Sequence, residues 1–275
     1  MDNSKARMVV VFIMMVCASV IACISVIPGV ALAGGLTYEG STTIGENIMP
    51  EAAKAFESKT KIKFAAIGGL GSGKGFKAAM EGTADIGGIS RALTHDEKKQ
   101  KPYYQTIGYD AIAIFVNGKN PVNSLSKDQI KGIFTGKITN WKEVGGADAK
   151  IVVVTEVKTG ERATIKAFKE MALDDAEFGP SKEIDKPHEC VQSVSSDEYS
   201  ITNASLAFKE SGVKVVTVNK IEPSAQSIRS GAYLLSRPLN LVSKELPSGD
   251  KKAFFDFILS SEGQSFVGKK FVTVR

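Results

Sequence analysis

The chain has 275 residues, of which 43% are apolar and 24% charged, with a net charge of +5. This is the balance of a globular protein, and the positive excess is too small and too dispersed to argue for nucleic-acid binding. Three cysteines and two histidines offer neither a disulfide framework nor metal-ligand spacing.

At the N-terminus, Lys5 and Arg7 precede an apolar run from Met8 to Ile27, and Ala31-Leu32-Ala33 fits a small-residue cleavage site. Residues 1–33 therefore read as an export signal cleaved after Ala33. A retained membrane anchor ranks second. A lipoprotein site at Val20-Ile21-Ala22-Cys23 ranks third, because the residues after Cys23 stay apolar. Cleavage leaves about 240 residues, room for two lobes. It also leaves a net charge of +4, because Lys5, Arg7 and Asp2 go with the leader, and Cys190 as the one cysteine. No internal disulfide is then possible, and Cys190 reads as a partly buried thiol.

Leu36 to Tyr38 reads as a strand, Gly40-Ser41-Thr42-Thr43 as a turn, and Glu46 to Lys59 as a helix with Ile48, Ala52, Ala55 and Phe56 on one face. A strand at Ile62–Ile67 runs into Gly68-Gly69-Leu70-Gly71-Ser72-Gly73-Lys74-Gly75, and a helix follows from Phe76 to Gly82. Glycines between a strand and a helix expose backbone N–H groups at the positive end of the helix dipole, which suits an anion. Ala84 to Arg91 reads as strand into loop, and Ala111 to Asn117 as a central strand. A helix at Ser126–Phe134 is capped by Ser126. Ile151–Thr155 is a buried strand and Thr164–Met171 a helix. Asp174 to Glu189, with Pro180 and Pro187, reads as an irregular surface stretch. Val213–Val218 is a strand, and Ser248–Leu259 a capped helix. This alternation predicts an α/β fold with parallel sheets covered by helices.

Taken in order, six segments are similar to the periplasmic phosphate-binding components of phosphate ABC transporters, in their shorter branch. They are Gly40–Thr43, Gly69–Lys77, Asp85–Arg91, Gly108–Asn117, Ile133–Trp141 and Ser230–Leu239. The resemblance implies a two-lobed, type II-like periplasmic-binding-protein fold with ligand in the cleft. Lobe 1 would span 34–112, with 233–275 returning to it, and lobe 2 would span 113–232. It implies a non-catalytic monomer without cofactor or metal. That monomer would capture phosphate or a similar tetrahedral oxyanion outside the cytoplasm and pass it to an ABC permease. The implied ligand-binding residues are Thr42, Thr43, Ser72, Gly73, Ser90 and Arg91 from lobe 1, and Thr159, Gly160, Glu161 and Arg162 from lobe 2.

For Thr43 the plainer reading is a helix N-cap, for Ser72 a turn residue, and for Arg91 a surface ion pair. The family's Arg-x-x-Gly-Ser-Gly-Thr run is replaced here by Thr155-Glu156-Val157-Lys158-Thr159-Gly160-Glu161-Arg162. Thr155 stands for the arginine and Glu161 for the last threonine. In one account, Arg162, Lys158 or Arg91 restores the cation, and Glu161 accepts the proton of hydrogen phosphate, which sulfate lacks. In the other, Glu161 turns outward and the protein is a divergent binder of another oxyanion or a sensor. A nucleotide-hydrolysing P-loop is a third reading of Gly68-x4-Gly73-Lys74, weakened because Gly75 stands where Ser or Thr should reach magnesium. His95 and His188 have no Ser–Asp pattern around them and read as surface residues.

Overall fold

A computed structural model describes residues 34–159 and 162–274. β1 (Leu36–Gly40) leads through α1 (Thr42–Asn47) and α2 (Met49–Thr60) to β2 (Phe64–Ile67), α3 (Ser72–Glu81) and β3 (Ile86–Ile89). Then come α4 (His95–Lys99) and the long strand β4 (Tyr103–Asn117). The middle of the chain holds β5 (Ser124–Leu125), α5 (Lys127–Phe134), β6 (Val152–Glu156), α6 (Ala163–Leu173) and β7 (Lys182–Ile184). It continues with α7 (Pro187–Ser195), β8 (Ser200–Ser205), β9 (Val213–Val218) and α8 (Ala225–Arg229). β10 (Ser236–Ser243), α9 (Gly249–Leu259), α10 (Ser261–Val267) and β11 (Val272–Thr273) follow.

The strands run in the order β2-β1-β3-β10-β4-β8-β6-β7. β4 is shared between two groups of strands. From Tyr103 to Ala111 it pairs antiparallel with β10, and from Ile112 onward with β8 and β9. β1, β2 and β3 are mutually parallel on one side, as are β6, β7 and β8 on the other. Each parallel set needs helical crossovers, which cover its faces. One core packs Phe56 of α2 edge-on against Phe254 of α9, with Tyr38, Ile86 and Leu241 around them. Another gathers Ile114, Ile130, Phe134, Trp141 and Phe168, and a smaller one holds Phe115, Val154, Cys190 and Val194.

Several elements differ from the sequence expectation. The helix expected over Glu46–Lys59 is two helices, because Pro50 sits in the first turn of α2 and the chain re-enters there. α3 begins at Ser72, so half of the glycine-rich segment is helix rather than loop. The stretch expected to be irregular contains β7 and the start of α7, where Pro187 occupies the first helical turn. β8 was not expected at all. Its sequence, Ser-Ile-Thr-Asn-Ala-Ser, is polar, yet all six residues are buried. The export signal and its cleavage site lie outside the described residues.

Candidate anion-binding site

Ser41, Thr42, Thr43, Gly71, Ser72, Ser90, Glu156, Arg162, Ala163, Thr164 and Pro187 line one small pocket. Glycine geometry brings the walls together. Gly71 turns the chain into α3 at φ 104°, a conformation costly for other residues. One turn later a Cβ on Gly75 would stand 2.4 Å from Gly40 Cα and 2.6 Å from the Glu39 carbonyl. With hydrogen there instead, the first turn of α3 lies directly on β1, and Ser72 reaches the pocket.

The hydroxyl groups are wired so that their hydrogens are left for a guest. A hydroxyl carries a single hydrogen, so accepting a bond from the protein frees it to donate. Ser72 Oγ accepts from the Ser90 backbone N–H at 3.0 Å. Ser90 Oγ accepts from Ser41 Oγ at 2.9 Å, and Ser41 Oγ in turn accepts from the Ile44 N–H at 3.3 Å. Thr43 Oγ1 accepts from Arg237 Nη2 at 3.2 Å. Among the described residues, the hydroxyl hydrogens of Thr43, Ser72 and Ser90 have no protein acceptor. All three side chains are buried. Thr42 differs, because its hydroxyl donates to the Gly69 carbonyl and ties down the glycine turn.

Helix ends add further donors. α3 and α6 both start at the pocket, and neither N-cap residue, Gly71 or Arg162, makes a side-chain cap bond. By contrast Thr94, Ser126 and Ser224 cap their helices with full capping boxes. Among the described residues no side chain caps the first-turn N–H groups of α3 or α6, so both are open to a guest, as the starts of α2, α7 and α9 are elsewhere. α1 is capped by Ser41, so Thr43 is not the cap residue.

Glu156 supplies an acceptor. It is 4% exposed, and its Oε2 has no hydrogen-bond partner. The neighbouring Thr164 hydroxyl favours the charged form of the same carboxylate. Burial pushes the Glu156 carboxyl up from its ordinary range, against the pull of Arg237 and Arg162. Arg237 lies behind the pocket in a buried ion pair with Asp110, Nε and Nη2 both 3.0 Å from Oδ2. Burial likewise raises Asp110, opposed by Arg237 and by Ser205 Oγ, which donates to Oδ1 at 2.7 Å.

Of the residues singled out from sequence, Thr42, Thr43, Ser72, Ser90 and Arg162 line the pocket. Arg162 also pairs with Asp185. Gly73 follows Ser72 in the first turn of α3 but is not among the lining residues. Arg91 is placed elsewhere. Its Nη1 and Nη2 each lie 2.7 Å from a Glu97 oxygen, a bidentate buried pair that leaves its charge facing α4. Lys158 does not line the pocket and is tied to Glu183 and to the Gly179 carbonyl. Thr159 is exposed, and Gly160 and Glu161 lie outside the described residues. Lys74 is exposed outside the pocket, unlike the phosphate-gripping lysine of a P-loop. Glu156, Thr164 and Arg237 were missed. The first sits at the end of an apolar strand, and the others act only through chain segments far apart in sequence.

Two α/β halves joined by crossing strands, with hydroxyls and helix N-termini converging between them, make a ligand-binding protein of the two-lobed type. The chain belongs to the PBP superfamily, whose domain model matches residues 30–262. The phosphate-binding protein PstS of Staphylococcus saprophyticus is 30% identical over 254 residues, covering 86% of this chain and 79% of that protein. PstS of Bacillus subtilis is 28% identical over 238 residues, covering 84% and 77%. A solved phosphate ABC transporter substrate-binding protein from Clostridium perfringens, described as putative and holding bound phosphate, has a TM-score of 0.81 at 35% identity. That alignment covers 88% of this chain and 100% of the other.

Proposed function

We propose that this protein is the extracytoplasmic capture component of an ABC importer and that it binds hydrogen phosphate in the pocket described above. The supporting observation is the complementarity of the walls. Thr43, Ser72 and Ser90, whose hydroxyl hydrogens have no acceptor among the described residues, line the pocket with two helix starts that lack a cap side chain and with Glu156, whose Oε2 is unpaired. Hydrogen phosphate offers lone pairs to the donors and one O–H to the acceptor. Sulfate presents only lone pairs and would set one against Glu156. On this reading Glu156 is the proton acceptor, the role that one account of the sequence offered to Glu161, which lies outside the described residues. The cationic field comes from Arg162 at the wall and Arg237 behind it, and neutral donors do most of the binding, as a buried anion requires.

The named relatives are phosphate-binding proteins, which supports capture rather than catalysis. On this reading the lobes divide at 112–113 and rejoin at 232–233, where β4 changes partners and the chain comes back toward β10. The protein is exported by its first 33 residues and works as a monomer against a membrane permease. A thermal-shift panel of phosphate, arsenate, sulfate, molybdate and tungstate tests it on protein starting at Gly34. Phosphate and arsenate should raise Tm by several degrees, growing with concentration above Kd, and sulfate should not. A shift with molybdate or tungstate alone would transfer the pocket to another oxyanion. No shift with any would remove the reading.

A further inference from the structure

Arg237 does not line the pocket, yet it donates to two of the hydroxyls around it. Arg237 on β10 pairs in register with Asp110 on β4, so the two side chains share one face of the crossing strands. Both are about 1% exposed at the side chain. Asp110 holds Nε and Nη2, which fixes the guanidinium plane. Two of the three remaining N–H donors go to threonines of different halves. Nη2 reaches Thr43 Oγ1 and Nη1 reaches Thr164 Oγ1, each at 3.2 Å.

We infer that Arg237 is a positioning residue for anion capture, acting through Thr43 and Thr164 rather than by touching the anion. A cationic N–H can only donate. Each threonine oxygen therefore accepts from Arg237, and its one hydrogen must leave in another direction. For Thr164 the neighbouring acceptor is the Glu156 carboxylate, whose charged form the hydroxyl favours. For Thr43 that direction is the pocket. One guanidinium thus makes Thr43 an obligate donor to the guest and turns the Thr164 hydrogen away from itself, on the side of Glu156. It imposes both conditions at once on residues 121 positions apart. A lysine at 237 keeps the charge but has no planar fork with which to hold Asp110 and both hydroxyls together.

This inference rests on the phosphate reading, and a double-mutant cycle separates the two. Phosphate affinity is measured by titration calorimetry for the wild type, Arg237→Lys, Thr43→Val and the double variant, with the melting temperature of each ligand-free protein alongside. Arg237→Lys should weaken phosphate about 10–100-fold in the wild-type background and by at least about threefold less in the Thr43→Val background, where only the Thr164 arm remains. Equal losses in both backgrounds would overturn the positioning role while leaving phosphate capture intact. A wild type that binds no phosphate would overturn the capture reading itself, and this inference with it. If Arg237→Lys does not fold, a crystal structure of the wild type with phosphate decides. Thr43 Oγ1 should lie within hydrogen-bond distance of both Arg237 and a phosphate oxygen. Direct contact of Arg237 with phosphate, or a Thr43 hydroxyl turned away from it, would overturn the inference.

Discussion

Replacing Glu156 by glutamine preserves the size of the side chain and changes what it offers the pocket. The Thr164 hydroxyl favours the charged form of the carboxylate, and Oε2 has no hydrogen-bond partner. In the variant the amide oxygen stands by the Thr164 hydroxyl, and the NH2 group replaces Oε2. An acceptor becomes a donor at the same point. Hydrogen phosphate loses a hydrogen bond to a charged group, about 1.5–3 kcal/mol, which is about 10–150-fold in Kd. Sulfate loses a like-charge clash and gains a donor, so its affinity should rise. Calorimetric titration of both anions at pH 7.5 should therefore show the phosphate-to-sulfate preference collapsing by about a hundredfold or more. A pH series adds a second readout. Sulfate can enter the wild type only with a proton on Glu156, whose affinity for that proton is already raised by burial. Its log K should fall toward one unit per pH unit above that group's titration point, and the slope should vanish in Glu156→Gln. An unchanged preference, or sulfate binding to the wild type that ignores pH, would refute the acceptor role.

Gly75→Ala gains helix propensity of about 1 kcal/mol but places a methyl 2.4 Å from Gly40 Cα, backbone that cannot yield. The clash should win, lowering stability by about 1–3 kcal/mol, and phosphate should weaken because Ser72 retreats. Urea denaturation followed by the single tryptophan, Trp141, reads the first effect and calorimetry the second. Glu97→Gln breaks the Arg91 pair, whose side chains are only 6% and 11% exposed, and should cost about 3–5 kcal/mol with phosphate Kd within twofold. A large affinity loss would return Arg91 to the anion site. Burial tends to raise the Glu97 carboxyl, but hydrogen bonds from Arg91 and Thr94 hold it below its ordinary value. Its contribution is therefore present above the unfolded value and lost as pH falls through the folded one. The acid-unfolding midpoint should accordingly move up in Glu97→Gln. Burial, with Glu156 and Glu189 nearby, pushes the Cys190 thiol up to about 12. At pH 8 it should react with Ellman's reagent at least about a thousandfold more slowly in the native protein than in urea. Rapid native labelling would contradict its burial beside Glu156.

The alternation of elements and the glycine turns were legible because their signals are local. Ser72 could be placed from its glycines, and Thr43 and Ser90 from the motifs around them. What sequence could not supply was long-range. Arg237 and Asp110 meet 127 positions apart only because β10 and β4 pair in one register. Glu156 looks like the solvent-facing end of a valine strand, and its burial depends on α6 and α7 closing over it. β8 reads as a loop because polar residues rarely fill a strand. It is buried because it lies between β4 and β6, with Ser205 bonded to Asp110. Arg91 misled because a cation in an anion-site motif and a cation in a structural pair look alike until Glu97 is seen beside it.

Arsenate has phosphate's shape and its proton, and arsenic scatters anomalously. A crystal grown with arsenate therefore locates the guest without reference to the side chains. The account predicts a single strong arsenic peak in the pocket, with oxygens in hydrogen-bond contact with Thr43, Ser72, Ser90 and Glu156 Oε2. A peak only among surface lysines such as Lys54, Lys61 and Lys63, or none, would contradict it.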